Sequence, residues 1–150
     1  MIIKTLLDEL FTQLREIIEF DNIEIYKIIG HNEIQRYYFS PDNNLQTYNL
    51  DKIMNKLVKE NYISEIIKFK KEIIIENIDS NNNISMNLIP IIFEDNTVFF
   101  INIIVNDKKF DFTEEQKENR LEIISSFNEV FCFEEMIKID RIRDRMALNF

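Results

Sequence analysis

Apolar residues near the start of the chain fall at Ile3, Leu7, Leu10, Leu14 and Ile17, in alternating steps of four and three, with Leu6, Phe11 and Ile18 beside them. That spacing predicts an amphipathic helix over residues 2–18. Its stripe is wider than a two-position seam, so one side can cover a sheet while its edge meets a second copy of the helix. Packing on its own core alone is the other option. After Asp21 and Asn22 the pattern becomes IEIYKIIG and then, past His31 and Asn32, EIQRYYFS. Both read as antiparallel strands. Gly30, the one glycine of the chain, stands between them, where a tight connection calls for a positive φ.

Ser40, Pro41, Asp42, Asn43 and Asn44 read as a loop, and Leu50, Ile53, Met54, Leu57 and Val58 resume helical spacing. A short second helix is expected with Ser64 as its cap. A strand over residues 72–78 and the polar run DSNNN follow, then SMNLIPIIF and TVFFINIIV, which pair as a long hairpin. Thr113 with Gln116 three residues on makes a capping box, and neither Gly nor Pro occurs from Glu114 to the end. One long helix is expected there, on the order of 55 Å at 1.5 Å per residue. A compact chain of this size is only roughly 40 Å across, so the helix should overshoot its own domain. Ile139, Ile142 and Met146 continue a narrow seam suited to a parallel coiled coil.

Composition narrows the chemistry. The chain has 150 residues, 45% apolar and 30% charged, enough for one domain with a real core. A net charge of −9 disfavours sequence-independent contact with nucleic acid or with an anionic membrane surface. No uncharged run reaches the about 20 residues of a bilayer span, and Lys4, Asp8 and Glu9 break any signal-peptide core. One Cys excludes an internal disulfide and suits a reducing cytosol, and one His excludes a His-rich metal site. A single Gly leaves no phosphate-cradling glycine loop. DSNNN opens like a calcium loop, but the sixth and twelfth positions are Ile84 and Pro90 where Gly and Glu are needed. Adjacent carboxylates such as Glu114 with Glu115 point about 100° apart on a helix and read as solvated surface. A catalytic triad would have to use His31, beside Gly30 in a turn. No metal site, no cofactor and no catalytic residue is assigned.

The element order, with KEIIIENI, SMNLIPIIFEDNTVFFINIIV and FDFTEEQKENRLEIISSFNEVF as its best-matching stretch, resembles a GAF domain, a small-molecule sensor module of bacterial signalling proteins. Pro90, Phe110, Phe112 and Thr113 match the family's proline-containing strand and its phenylalanine-rich step into the last helix. The resemblance covers residues 1 to about 135. It implies an α+β, GAF-like, PAS-related fold: a central antiparallel sheet with the N- and C-terminal helices on one face and a ligand pocket on the other. The cyclic-nucleotide signature is missing, and Cys132 lies in the exit helix, away from any bilin-attachment position. The free methionine sulfoxide reductases share this architecture, but their chemistry needs partner thiols that Cys132 lacks.

Beyond residue 135, DRIRDRMALNF resembles the start of the dimerisation helix of bacterial sensor histidine kinases, and Phe150 stands one position before their phosphoacceptor His. The expectation is a sensor domain over residues 1–135 and the start of a signalling helix over 136–150, cut from a longer cytoplasmic protein, a histidine kinase or one with a cyclase or phosphatase output domain. Its partners would be a second copy in parallel, a small-molecule ligand and a C-terminal output domain. The seam would use Ile3, Leu7, Leu10, Leu14, Ile139, Ile142 and Met146. Asn102 is the one polar residue of its strand interior, and Asn87 is similarly isolated on the paired strand; a buried amide needs partners, which a ligand or water can supply. Arg36, Tyr38 and Tyr62 would add charged and phenolic handles to the pocket. The alternatives are a spacer or dimerisation module whose pocket is filled by its own side chains, and amides that bond backbone or lie on an exposed edge.

Overall fold

The computed structural model describes residues 2–30, 33–39, 47–79, 83–93, 96–106 and 110–148. They form α1 (Ile2–Arg15), β1 (Asn22–Ile29), β2 (Glu33–Phe39), α2 (Thr47–Lys59), α3 (Tyr62–Phe69), β3 (Ile73–Asp79), β4 (Ile84–Phe93), β5 (Asn96–Asn106) and α4 (Glu114–Leu148). The expected loop at residues 40–44, the turn at His31 and the tip of DSNNN lie outside the described residues. The chain divides into two units, one of residues 18–112 and one that joins α1 to α4.

In the first unit the strands run in the order β2-β1-β5-β4-β3, antiparallel throughout, as the α+β reading requires. Gly30 closes β1 at φ 68°, in the left-handed region that a side chain disfavours. Pro90 sits inside β4 opposite Phe100 of β5. It is tolerated because the pairing with β3 starts at Leu88, so no β3 carbonyl requires the N–H that proline lacks. Register fixes the faces, since residues directly opposite share a side of the sheet. Tyr26, Phe100, Ile104, Met86, Leu88 and Ile75 therefore point one way, and Ile53 and Leu57 of α2 with Ile63 and Ile66 of α3 close over them. The reverse face carries Ile23, Ile25, Ile101 and Ile103, each fully buried. Two apolar faces explain why β4 and β5 read as nearly continuous apolar runs.

One expectation is corrected here. Ser64 does not cap the second helix; it lies exposed inside α3. The break falls at Asn61, whose φ of 67° reverses the chain in one residue. Its N–H reaches Val58 O at 3.2 Å and its carbonyl receives the Glu65 N–H at 3.0 Å. A left-handed Asn is the common substitute for Gly at such a junction. Lys70 ends α3 in the same conformation, φ 53°, its N–H on Ile66 O at 2.9 Å. A lysine there costs about 1 kcal/mol relative to glycine.

In the second unit the capping box forms as read: the Thr113 N–H donates to Gln116 Oε1 at 2.9 Å and the Gln116 N–H to Thr113 Oγ1 at 3.1 Å. The same Gln116 donates from Nε2 to Ile17 O at 2.9 Å, tying the end of α1 to the start of α4. α4 is one unbroken helix of 35 residues. Phe127 and Phe131 stack along it at 5.7 Å. Between α1 and α4 runs a groove of about 130 Å³ lined by residues that include Leu6, Leu10, Ile123, Phe127 and Val130.

Candidate functional site

Among the described side chains, the buried face of the sheet under α2 and α3 is apolar except around Glu24. Asn22, Glu24 and Tyr26 alternate along β1 onto this face, and the register sets Glu24 opposite Asn102 of β5 and Tyr26 opposite Arg36 of β2. Asn22, Glu24, Tyr26 and Asn102 are all 2% exposed or less. A carboxylate in such a place survives only if its lone pairs are occupied. The Tyr26 hydroxyl donates to Glu24 Oε2. Asn22 Nδ2 donates to Glu24 Oε1 at 3.3 Å, and Arg36 Nη2 lies 3.4 Å from the same oxygen.

Burial pushes the Glu24 carboxyl above its ordinary value of 4.5, and the Tyr26 hydrogen bond and the Arg36 charge pull part of the way back. Burial also lifts the Tyr26 phenol well above its ordinary value, and the Glu24 carboxylate beside it adds to the shift. Tyr26 thus stays a neutral donor. Asn102 donates from Nδ2 to Met86 Sδ at 3.4 Å, while its buried Oδ1 has no hydrogen-bond partner among the described residues. A buried acceptor left unmatched costs about 1 to 3 kcal/mol.

The fold therefore joins two of the five expected pocket residues, Arg36 and Asn102. Asn87 falls on the opposite face, because its partner on β5 is Ile103 while Asn102 is opposite Leu88. Its Nδ2 lies 3.4 Å from Glu72 Oε2 and from Ile73 O. Tyr38 stands opposite Ile25, separated from Arg36 by a bulge at Tyr37, and its ring meets Tyr37 edge-on at 4.5 Å. Tyr62 packs at the rim of the core from α3, its phenol raised by partial burial and by the Glu60 and Glu65 charges. The expected helix seam also changes. Leu7, Leu10 and Leu14 are at most 4% exposed within the single chain, so they serve its core and are closed to a second copy. Met146 is exposed, and the side chains of Ile3, Ile139 and Ile142 lie outside the described residues.

Sequence pattern alone does not single out Asn22, Glu24 and Tyr26. The alternation N-x-E-x-Y reads as a solvent-facing edge, and only the covering helices turn that face inward. Among the described residues no group of His, Cys, Asp and Glu could hold a metal ion, and no helix is long and apolar enough to cross a membrane. Cys132 is half-buried, its thiol pushed up by burial and by the Glu135 charge, which is the reverse of what a nucleophilic thiolate needs.

No protein-family profile and no curated protein matches the sequence. Solved structures do match its fold. The GAF domain/HD domain protein from Geobacter sulfurreducens aligns with a TM-score of 0.64 at 8% identity, over 89% of this chain and 94% of that one. GAF3 of a Synechocystis protein, solved in its photoproduct state, gives 0.63 at 7% identity over 91% and 97%. The GAF domain of a two-component sensor histidine kinase from Bacillus halodurans gives 0.61 at 10% identity over 91% and 95%. The chain has the fold of a GAF domain.

Proposed function

We propose that the chain is a non-catalytic sensory domain that binds a small molecule against the Glu24, Tyr26, Arg36 and Asn102 floor and reports it through α4. The observation that carries this reading is the buried, hydrogen-bonded cluster of Glu24, Asn22, Tyr26 and Arg36 set in an otherwise apolar face. A core built for stability alone gains little from a buried ion pair, because desolvation consumes most of the attraction. A ligand offering a donor to Asn102 Oδ1 would satisfy the remaining acceptor. Residues 1–135 would form the sensor and residues 136–150 the start of the signalling helix. At 35 residues α4 is about 52 Å long, enough to carry a rotation or register change to an output domain such as a histidine kinase.

A parallel homodimer in the cytoplasm would be the working form. With Leu7, Leu10 and Leu14 used inside the chain, the seam moves to exposed residues of α4, namely Val130, Phe133 and Met146. One observation favours a second reading: Ile53, Leu57, Ile63 and Ile66 pack on the same face with at most 2% exposure, as a sealed spacer module would have them. Native mass spectrometry of the purified chain separates the two. A sensor should carry a non-covalent adduct that Arg36→Leu removes, and a bare chain mass in gentle conditions would favour the spacer.

A further inference from the structure

The acidic total hides a segregated charge. Residues 52–71 hold six lysines and two glutamates, a net +4 that falls to +2 once the bordering Asp51 and Glu72 are included, in a chain of −9 overall. All six lysines are exposed. Lys56 is committed to the fold, donating to Ile78 O at 2.7 Å with Glu60 4.0 Å away. Lys68, Lys70 and Lys71 form no ion pair among the described residues. Between them Phe69 is 58% exposed, and Lys68 Nζ lies 5.2 Å from the centre of its ring. The left-handed Lys70 stops α3 at this point, so exposed Phe69 and the lysines on either side of it lie at the exposed end of the helix.

We propose that residues 68–71 are an attachment point for an anionic lipid surface, the Phe69 ring entering the headgroup region and the three lysines meeting phosphate and carboxylate groups. A stable protein interface needs about 800 Å² from each partner, several times what four residues offer. A bilayer asks for no matching shape, only an aromatic side chain at the interface and a few cations within reach. Glu65 and Glu72, both exposed, are the acidic side chains nearest in sequence and leave residues 65–72 at a net +1; acidic groups beyond the Debye length of about 8 Å at physiological salt are screened. The net-charge argument against membranes averages over this asymmetry. This contact neither uses nor requires the pocket reading.

Co-sedimentation of the full chain with phosphatidylserine-rich vesicles and with pure phosphatidylcholine vesicles tests the proposal. Binding to the first only, weakening as salt rises, is the expected result. Each lysine near an anionic surface is worth about fivefold in partitioning, so Lys68→Gln, Lys70→Gln and Lys71→Gln together should lower it about a hundredfold. Phe69→Ser should lower it by roughly tenfold. Lys4→Gln with Lys117→Gln, neutralising exposed lysines on other helices, should change it less than about threefold. Circular dichroism would establish that each variant is folded. No partitioning at low salt, an equal loss in the control pair, or capture of polyglutamate without vesicle binding would each overturn the proposal.

Discussion

Glu24 concentrates the chemistry of this chain. Its folded pKa is raised, so between 4.5 and that higher value the folded state holds more protons than the unfolded state. Stability should therefore be greatest below this window and fall as pH rises through it. Thermal unfolding across that range should show the slope in wild type and lose it in Glu24→Gln, which keeps the shape but cannot ionise. Arg36→Leu removes the opposing charge and should cost about 1 to 3 kcal/mol at neutral pH, read from urea midpoints at constant slope. Of this site, Asn102 is legible in the sequence as an amide among apolar neighbours and Arg36 as a charged handle on a strand. The face of Asn87 relative to Asn102 is not legible, because period-2 reasoning puts residues of one strand on a common face but cannot align two strands. The pairing of Leu88, rather than Asn87, with Asn102 is a matter of hairpin register, which the bulge at Ile91 and Ile92 shifts by one residue.

At the level of elements, helix spacing, the Gly30 turn and the Thr113 capping box were readable, since each rests on contacts a few residues apart. Thr113→Ala should remove one reciprocal bond of the box and cost about 1 kcal/mol, measurable by thermal melting. The junction at Asn61 was less readable, because Asn suits a left-handed backbone and a loop equally well and the short segment also offered Ser64 as a cap. Leu57 is completely buried against the sheet, so Leu57→Ala should cost about 2 to 5 kcal/mol. If the space it opens in the core it shares with Tyr26 belongs to a ligand pocket, bound ligand should reduce that cost. The α1 stripe announced an amphipathic helix correctly, yet which of its residues stay exposed depends on α4, far away in sequence.

For the whole molecule, the proposed dimer makes Val130 and Phe133 the exposed apolar residues to test, with Met146 further along α4. Val130→Glu with Phe133→Glu should lower the dimer fraction in sedimentation without changing the melting behaviour of the sheet, and an unchanged fraction would remove the seam from the account. The GAF fold is legible in the order and spacing of elements, while the buried Glu24 emerges only when surface and core are told apart. The central claim is that the polar floor is a ligand site and not a sealed core. Unfolding the purified chain in urea and refolding it in fresh buffer strips any bound small molecule. A ligand held at a hundred times its Kd adds about 2.7 kcal/mol, so the refolded wild type should melt several degrees lower than before. Asn102→Leu should melt at the same temperature before and after stripping. Identical melting of wild type before and after, with full recovery of native structure, would contradict the claim.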